Sequence, residues 1–221
     1  MKNNYNFGVV NLHLKFNQRT HVRFINFKFV LTAQNLILFQ PNLCLKKGMI
    51  VIMNNFVEQD IKNFMCNPFT KIGSDWMLIS AGNNNKFNTM TASWGTLGIM
   101  WGKNVAISFI RPQRYTKEFV DSNDTYSLCF FPEEYKKDLA YLGKVSGRDE
   151  NKIENCSLTP VFLDNTPCFE EANLILICKK LYHQEIKPEC FIDSSLDSKW
   201  YENKDYHTMY FSEITKIYVK K

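Results

Sequence analysis

The sequence predicts a mainly β protein, a β-barrel with helical insertions rather than a doubly wound sheet. Short apolar runs recur along the chain, bounded by Gly, Asn, Pro and Asp clusters, as strands and turns require. Only a few stretches repeat apolar residues at helical spacing. The length, 221 residues, suits one well-cored domain and is short for two.

Taken in order, residues 1–48 read differently from the rest. They are rich in Asn, Phe, Leu and Lys, contain no acid, and show neither a helical period nor a bounded strand pattern. A transit peptide would be Ser-rich and amphipathic, and a secretory signal would end in a small-residue cleavage site; neither fits. The segment is read as a non-domain N-terminal extension, upstream of a true start at Met49 or Met53, and 49–221 as the domain. Next, VEQDIKNFM spaces Val57, Ile61 and Phe64 for a short lead-in helix. WMLISA (76–81) and FNTMTASWG (87–95) read as a hairpin across GNNNK, whose asparagines tolerate positive φ. Gly95, Gly98 and Gly102 punctuate the next segment, and NVAISFI (104–110) is a strand closed by Pro112. A helix carrying Tyr115, Phe119 and Val120 precedes the strand TYSLCFF (125–131). Pro132, Glu133 and Glu134 open a second helix, with Tyr135, Leu139 and Leu142 at i, i+4 and i+7 and Gly143 near its end. The polar loop SGRDENK (146–152), the run TPVFLD, the long apolar stretch from Asn173, a polar excursion through DSSLDSKWYENKD and a last strand near Ile214–Val219 complete the chain.

Composition removes several function classes. Seven of the 27 Lys and Arg residues precede the first acid, Glu58; beyond it the 22 acids slightly outnumber the remaining bases. The body of the chain therefore carries no electrostatic case for nucleic acid. Only residues 1–48 would serve a nucleic-acid binder, as a basic arm. The seven cysteines are odd in number and form no CxxC pair, which argues against a disulfide framework or a zinc site and for a reducing cytoplasm. With four histidines, a His-rich metal cluster is not expected. No apolar run reaches the ~18 residues of a membrane helix.

Two glycine patterns are decoys. GIMWGKN has three residues between its glycines and Asn104 after the lysine, whereas a phosphate-cradling P-loop needs four and then Ser or Thr. Gly95, Gly98 and Gly102 miss the GxGxxG spacing. No Ser, His and acid set suggests hydrolysis. The stretch 88–116 is the informative one. It combines the hydroxyls of Thr89, Thr91, Ser93, Thr96, Ser108 and Thr116 with Trp94, Trp101, Arg111 and Arg114. Small donors and forked cations beside aromatics suit an anionic ligand with a flat aromatic part. An ordinary hairpin followed by a turn has the same composition.

NTMTASWG (Asn88 to Gly95), RPQRYT (Arg111 to Thr116) and SGRDENK, in that order and spacing, resemble the motifs of the flavin reductase-like proteins, most nearly the flavoredoxin branch. The resemblance covers about residues 57–221. It implies an FMN-binding split β-barrel of Greek-key type, a homodimer, and electron transfer from NADH or NADPH through the flavin to a second acceptor. A non-enzymatic electron carrier is the alternative. It implies that Asn88, Thr91, Ala92, Ser93 and Trp94 hold the ring, and that Arg111, Tyr115 and Thr116 face the phosphate. Arg114 is an alternative cation, and a turn arginine could instead pair with an acid such as Asp121. Lys152 is expected to reach the flavin across the dimer interface. The flavin performs the chemistry, so no catalytic side chain is assigned.

Overall fold

The computed structural model describes residues 55–221 and, before them, four short strands. The chain divides into two compact units, Met1–Asn54 and Asn55–Lys221. In the first, β1 (Val30–Thr32) pairs antiparallel with β2 (Asn35–Ile37), and β3 (Leu43–Lys46) with β4 (Met49–Ile52). The other expectations for residues 1–48 lie outside the described residues.

The second unit is built on an antiparallel sheet. Its strands are β5 (Phe56–Gln59), β6 (Met77–Gly82), β7 (Phe87–Ala92), β8 (Gly95–Met100), β9 (Lys103–Ile110), β10 (Thr125–Phe130), β13 (Leu174–Glu185) and β14 (Thr208–Lys220). The hydrogen-bonded order is β7-β6-β10-β13-β14-β9-β8, with β5 also on β14. A separate hairpin joins β11 (Pro160–Leu163) to β12 (Thr166–Phe169). Helices α1 (Tyr115–Ser122), α2 (Lys136–Lys144) and α3 (Ser194–Trp200) are inserted between strands, and α1 and α2 pack on β6 and β7. The two ends of the sheet, β7 and β8, are consecutive in the chain, separated by Ser93 and Trp94 alone. A sheet whose end strands are joined by two residues must curl back on itself, and this closes the barrel around its core.

Side-chain periodicity explains the strands. Along β14, Thr208, Tyr210, Ser212 and Ile214 are buried while Met209, Phe211 and Glu213 are less so, the period of two that a pleated strand imposes. β6 is buried at every position, between β7 and β10. Inside lie Met77, Ile79, Tyr126, Leu128, Phe130, Leu176 and Tyr210. Tyr126 is fully buried and donates its hydroxyl to Ser108 Oγ at 3.1 Å, so the one polar atom of a large ring is satisfied.

Three local expectations are corrected. Val57 lies on β5, which pairs with β14, and only Ile61–Asn63 makes a helical turn; the spacing of Val57, Ile61 and Phe64 does not form a lead-in helix. In the β6–β7 turn, positive φ (124°) belongs to Gly82, where a Cβ would meet Lys86 O at 2.4 Å. Asn83 serves the turn through its side chain, accepting from the backbone N–H of Asn85 and Lys86. The polar excursion contains α3, capped by Asp193, which accepts from Ser195 N–H at 3.0 Å.

Candidate functional site

The bend between β7 and β8 and the start of α1 face two adjoining cavities. The first, of about 430 Å³, is lined by Asn88, Arg111, Tyr115, Thr116 and Lys152 together with Arg114, Lys144, Ser146, Gly147 and Asp205. The second, about 150 Å³, is lined by Thr91, Ala92, Ser93 and Trp94 with Phe109, Trp200 and His207. Met90, Arg111 and Arg114 line both. The nine residues that the resemblance assigns to the flavin thus border one composite cleft, whereas Thr89, Thr96, Ser108 and Trp101 of the same stretch do not: Thr89 and Ser108 are buried, and Trp101 lies by Tyr182 and Phe211.

Each is placed by local structure. Arg111 ends the run from β9, and the Pro112–Gln113 turn leads into α1, whose N-cap, Arg114, makes no side-chain capping bond. The first-turn N–H groups of α1 are therefore left without a side-chain cap at the cavity edge. Thr116, 1% exposed, accepts from Asn88 Nδ2 at 2.8 Å across from β7. Its oxygen being engaged as acceptor, its own proton remains to donate. Thr91 donates instead to Leu139 O on α2, and so ties β7 to that helix. Gly143 permits this close approach, since a Cβ there would meet Thr91 Cβ at 3.1 Å.

The first cavity is strongly cationic. Arg111, Arg114, Lys144 and Lys152 line it, and the only carboxylate is Asp205. Asp205 is committed: it pairs with Arg111 at 2.5 Å and accepts from Gln113 at 2.7 Å. Arg111 also donates to Trp200 O at 2.8 Å and lies 5.2 Å over the Tyr201 ring. Its acidic partner is Asp205, not Asp121; Asp121 pairs with Lys117 and accepts from Tyr210. Arg114 donates to Gly143 O at 2.6 Å. Lys152, only 3% exposed, donates to Leu142 O and Val145 O at 3.0 and 3.1 Å, at the C-terminal end of α2. Burial, reinforced by the Arg114 charge, pulls the Lys152 ammonium down to about 8, and burial followed by Arg111 lowers Arg114. Among the described residues no carboxylate pairs with either. Two desolvated cations facing one cavity without a counter-anion define a place for one.

Lys152 lines this cavity from its own chain, beside Asn88 and Thr116. The loop before it folds back because Arg148 donates to Gln113 O, pairs with Glu118 and lies 4.6 Å over Tyr115.

The second cavity is aromatic. Trp94 is 36% exposed and is no core residue; it meets Trp200 edge-on at 5.2 Å and His207 at 5.0 Å. His207 Nδ1 shares a 2.9 Å hydrogen bond with the Tyr201 hydroxyl, and burial, then the Arg111 charge, pushes the imidazole down to about 4. Its folded pKa lies below the ordinary 6.5, so the unfolded chain takes up a proton there first. Stability is expected to fall as pH drops from 6.5 towards 4, by up to roughly 3 kcal/mol, and His207→Gln to flatten that limb in urea titrations. A wild-type midpoint unchanged between pH 7 and pH 4.5 would contradict this.

Trp200, Asp205 and His207 carried no sequence signal, since their partners Trp94 and Arg111 lie far away in the chain. Gly147 could have been noticed beside Ser146 but only the structure shows its role: a Cβ would meet Asn88 Oδ1 at 2.2 Å. Among the described residues no His, Cys, Asp and Glu cluster could hold a metal ion, and no helix is long and apolar enough to cross a membrane.

The fold is that of the FMN-binding, flavin reductase-like split barrels, flavoredoxins among them, at low sequence identity. A flavin reductase-like FMN-binding domain from Shewanella baltica OS155 matches with a TM-score of 0.55 and 15% identity, over 75% of this chain and 78% of that one. A putative flavin reductase with a split barrel domain from Shewanella frigidimarina NCIMB 400 matches at 0.52 and 19%, over 69% and 71%. Flavoredoxin from Methanosarcina acetivorans matches at 0.51 and 20%, over 66% and 69%. No protein-family model and no curated protein matches the chain.

Proposed function

We propose that this chain binds FMN in the composite cleft and works as an NAD(P)H-dependent flavin reductase-type oxidoreductase, passing electrons to a second acceptor. The observation that carries the reading is the joining of a cavity with buried, uncompensated cations to an aromatic one at the β7–β8 bend. A phosphate suits the first and a flat ring the second. When bound, the flavin would accept a hydride and release the electrons onward.

The chain's own residues bind, orient and exclude water. Lys152 and Arg114 offer charge-assisted donors to a phosphate, and Thr116, oriented by Asn88, offers its hydroxyl. The backbone at 91–93 presents its edge to a ring, while Trp94, Phe109 and Trp200 wall it from water. His207 stays neutral at pH 7, which avoids another buried charge there. A homodimer in the cytoplasm is part of the proposal, on the resemblance and the odd cysteine count.

The likeness to flavoredoxin favours a second reading, an electron carrier without nicotinamide turnover. Anaerobic addition of NADH or NADPH to FMN-loaded protein separates the two. Bleaching of the visible flavin band within seconds is the expected result. Bleaching by dithionite alone would leave the carrier and remove the reductase.

A further inference from the structure

A third cavity adjoins the aromatic one. Ser93, Trp94 and Phe109 line both, so whatever occupies it stands beside the ring that the second cavity is read to hold. It encloses about 590 Å³ between the helical segment Phe69–Asp75 and the start of β8. Neither the ring nor the phosphate of a flavin uses this space.

Its chemistry differs from that of the cationic cavity. Pro68, Phe69, Ile72, Trp94, Leu97 and Phe109 give it an apolar wall, and none of its lining residues is charged. Lys71 and Asp75, on the same helical segment, pair with each other at 2.9 Å. An anionic acceptor, such as a ferric chelate or a free flavin phosphate, would lose hydration here and meet no cation. A neutral molecule escapes that penalty. The aromatic side chains suit a flat ring, and the exposed Ser93 and Thr96 bring hydroxyls that can donate to a carbonyl oxygen. Phe69 is 86% exposed at the rim, an apolar surface that a bound ring would cover.

Resting on the flavin reading above, we infer that this cavity is the site of the second acceptor, and that the acceptor is a neutral quinone rather than an anionic chelate or a second flavin. The overall reaction balances. The nicotinamide C–H bond breaks and gives up a hydride, water supplies one proton, and two O–H bonds form as both quinone carbonyls become hydroxyls. The nicotinamide is oxidised, and the quinone takes both electrons. Phe69, Ile72 and Leu97 would set the preference for an apolar ring, and Thr96 would hold one carbonyl.

The test takes the full chain loaded with FMN, reduces it anaerobically with stoichiometric dithionite, and mixes it with menadione, a neutral naphthoquinone, or with ferricyanide. The return of the oxidised flavin spectrum gives the rate without any need for nicotinamide turnover. The rate with menadione should saturate, and Gly73→Trp should raise its half-saturating concentration about tenfold. Gly73 lines the cavity and a Cβ there meets nothing within 4 Å, so the added ring takes up space at little cost to the fold. Phe69→Ser should weaken menadione in the same direction. Both variants should change the ferricyanide rate less than about twofold. Menadione rates that never saturate, or variants that slow both acceptors alike, would overturn the quinone site and leave flavin binding intact. Failure of FMN to bind would remove the inference together with the function it rests on.

Discussion

Lys152→Met is expected to weaken FMN binding by about tenfold to a hundredfold. A charge-assisted bond from a buried ammonium to phosphate contributes roughly 1.5–3 kcal/mol, and each 1.4 kcal/mol is a factor of ten. Methionine keeps the side chain's apolar length, so the change reads out charge more than packing. The pH dependence makes the attribution specific. The folded, ligand-free Lys152 titrates near 8, below its ordinary 10.5, because burial disfavours the charged form. A bound phosphate favours that form and raises the pKa. Binding above pH 8 therefore takes up a proton, and affinity should fall as pH rises through 8, by at most about tenfold per unit. The methionine variant should show no such limb. Conversely, ligand-free wild type should become more stable between pH 8 and 10.5, where the unfolded chain holds a proton that the folded chain lacks. Equal FMN affinity in the two proteins at pH 7 would contradict the role given to Lys152.

Gly147→Ala should disturb the same cleft from the other side. The added Cβ would stand 2.2 Å from Asn88 Oδ1, 3.1 Å from Asn88 Cγ and 3.3 Å from Tyr115 Cδ1. Asn88 is 6% exposed and is held by Thr116, so either that hydrogen bond breaks or the loop after α2 moves out. Overpacking of this kind costs about 1–3 kcal/mol in stability, and FMN affinity is expected to drop by tenfold or more with it. The double variant Asn88→Ala, Gly147→Ala should recover most of the lost stability, because the clashing amide is gone, but not the flavin affinity. Additive destabilisation in denaturant titrations would show that the two side chains do not meet.

The sequence showed most where local pattern and tertiary need coincide. Tyr115 and Phe119 sit on one face of α1 and Leu139 and Leu142 on one face of α2, and both faces pack inward, so their spacing sufficed. The hairpin of β6 and β7 was legible from its apolar runs and the intervening Gly82–Lys86 turn. β5 was not, because Val57, Ile61 and Phe64 satisfy a helical spacing and only the free edge of β14 decides the matter. α3 buries none of its residues, so it has no apolar stripe to reveal it, and its one local signal is the cap, Asp193 ahead of Ser195.

The site followed the same division. The donor-rich stretch was visible because hydroxyls and cations crowd a strand and a helix start. The partnership of Arg111 with Asp205 and Trp200, and the entry of Lys152 from its own chain, depend on loops whose course is set by distant hydrogen bonds. No local pattern encodes those.

The most direct measurement is a titration of the purified, flavin-free protein with FMN, followed by quenching of flavin fluorescence and by the visible spectrum of the protein after gel filtration. The composite cleft predicts saturable binding of one FMN per chain, with riboflavin weaker than FMN by about tenfold or more because it lacks the phosphate that Lys152, Arg114 and Thr116 would engage. A folded protein that emerges colourless and takes up no FMN would contradict a flavin site in this cleft.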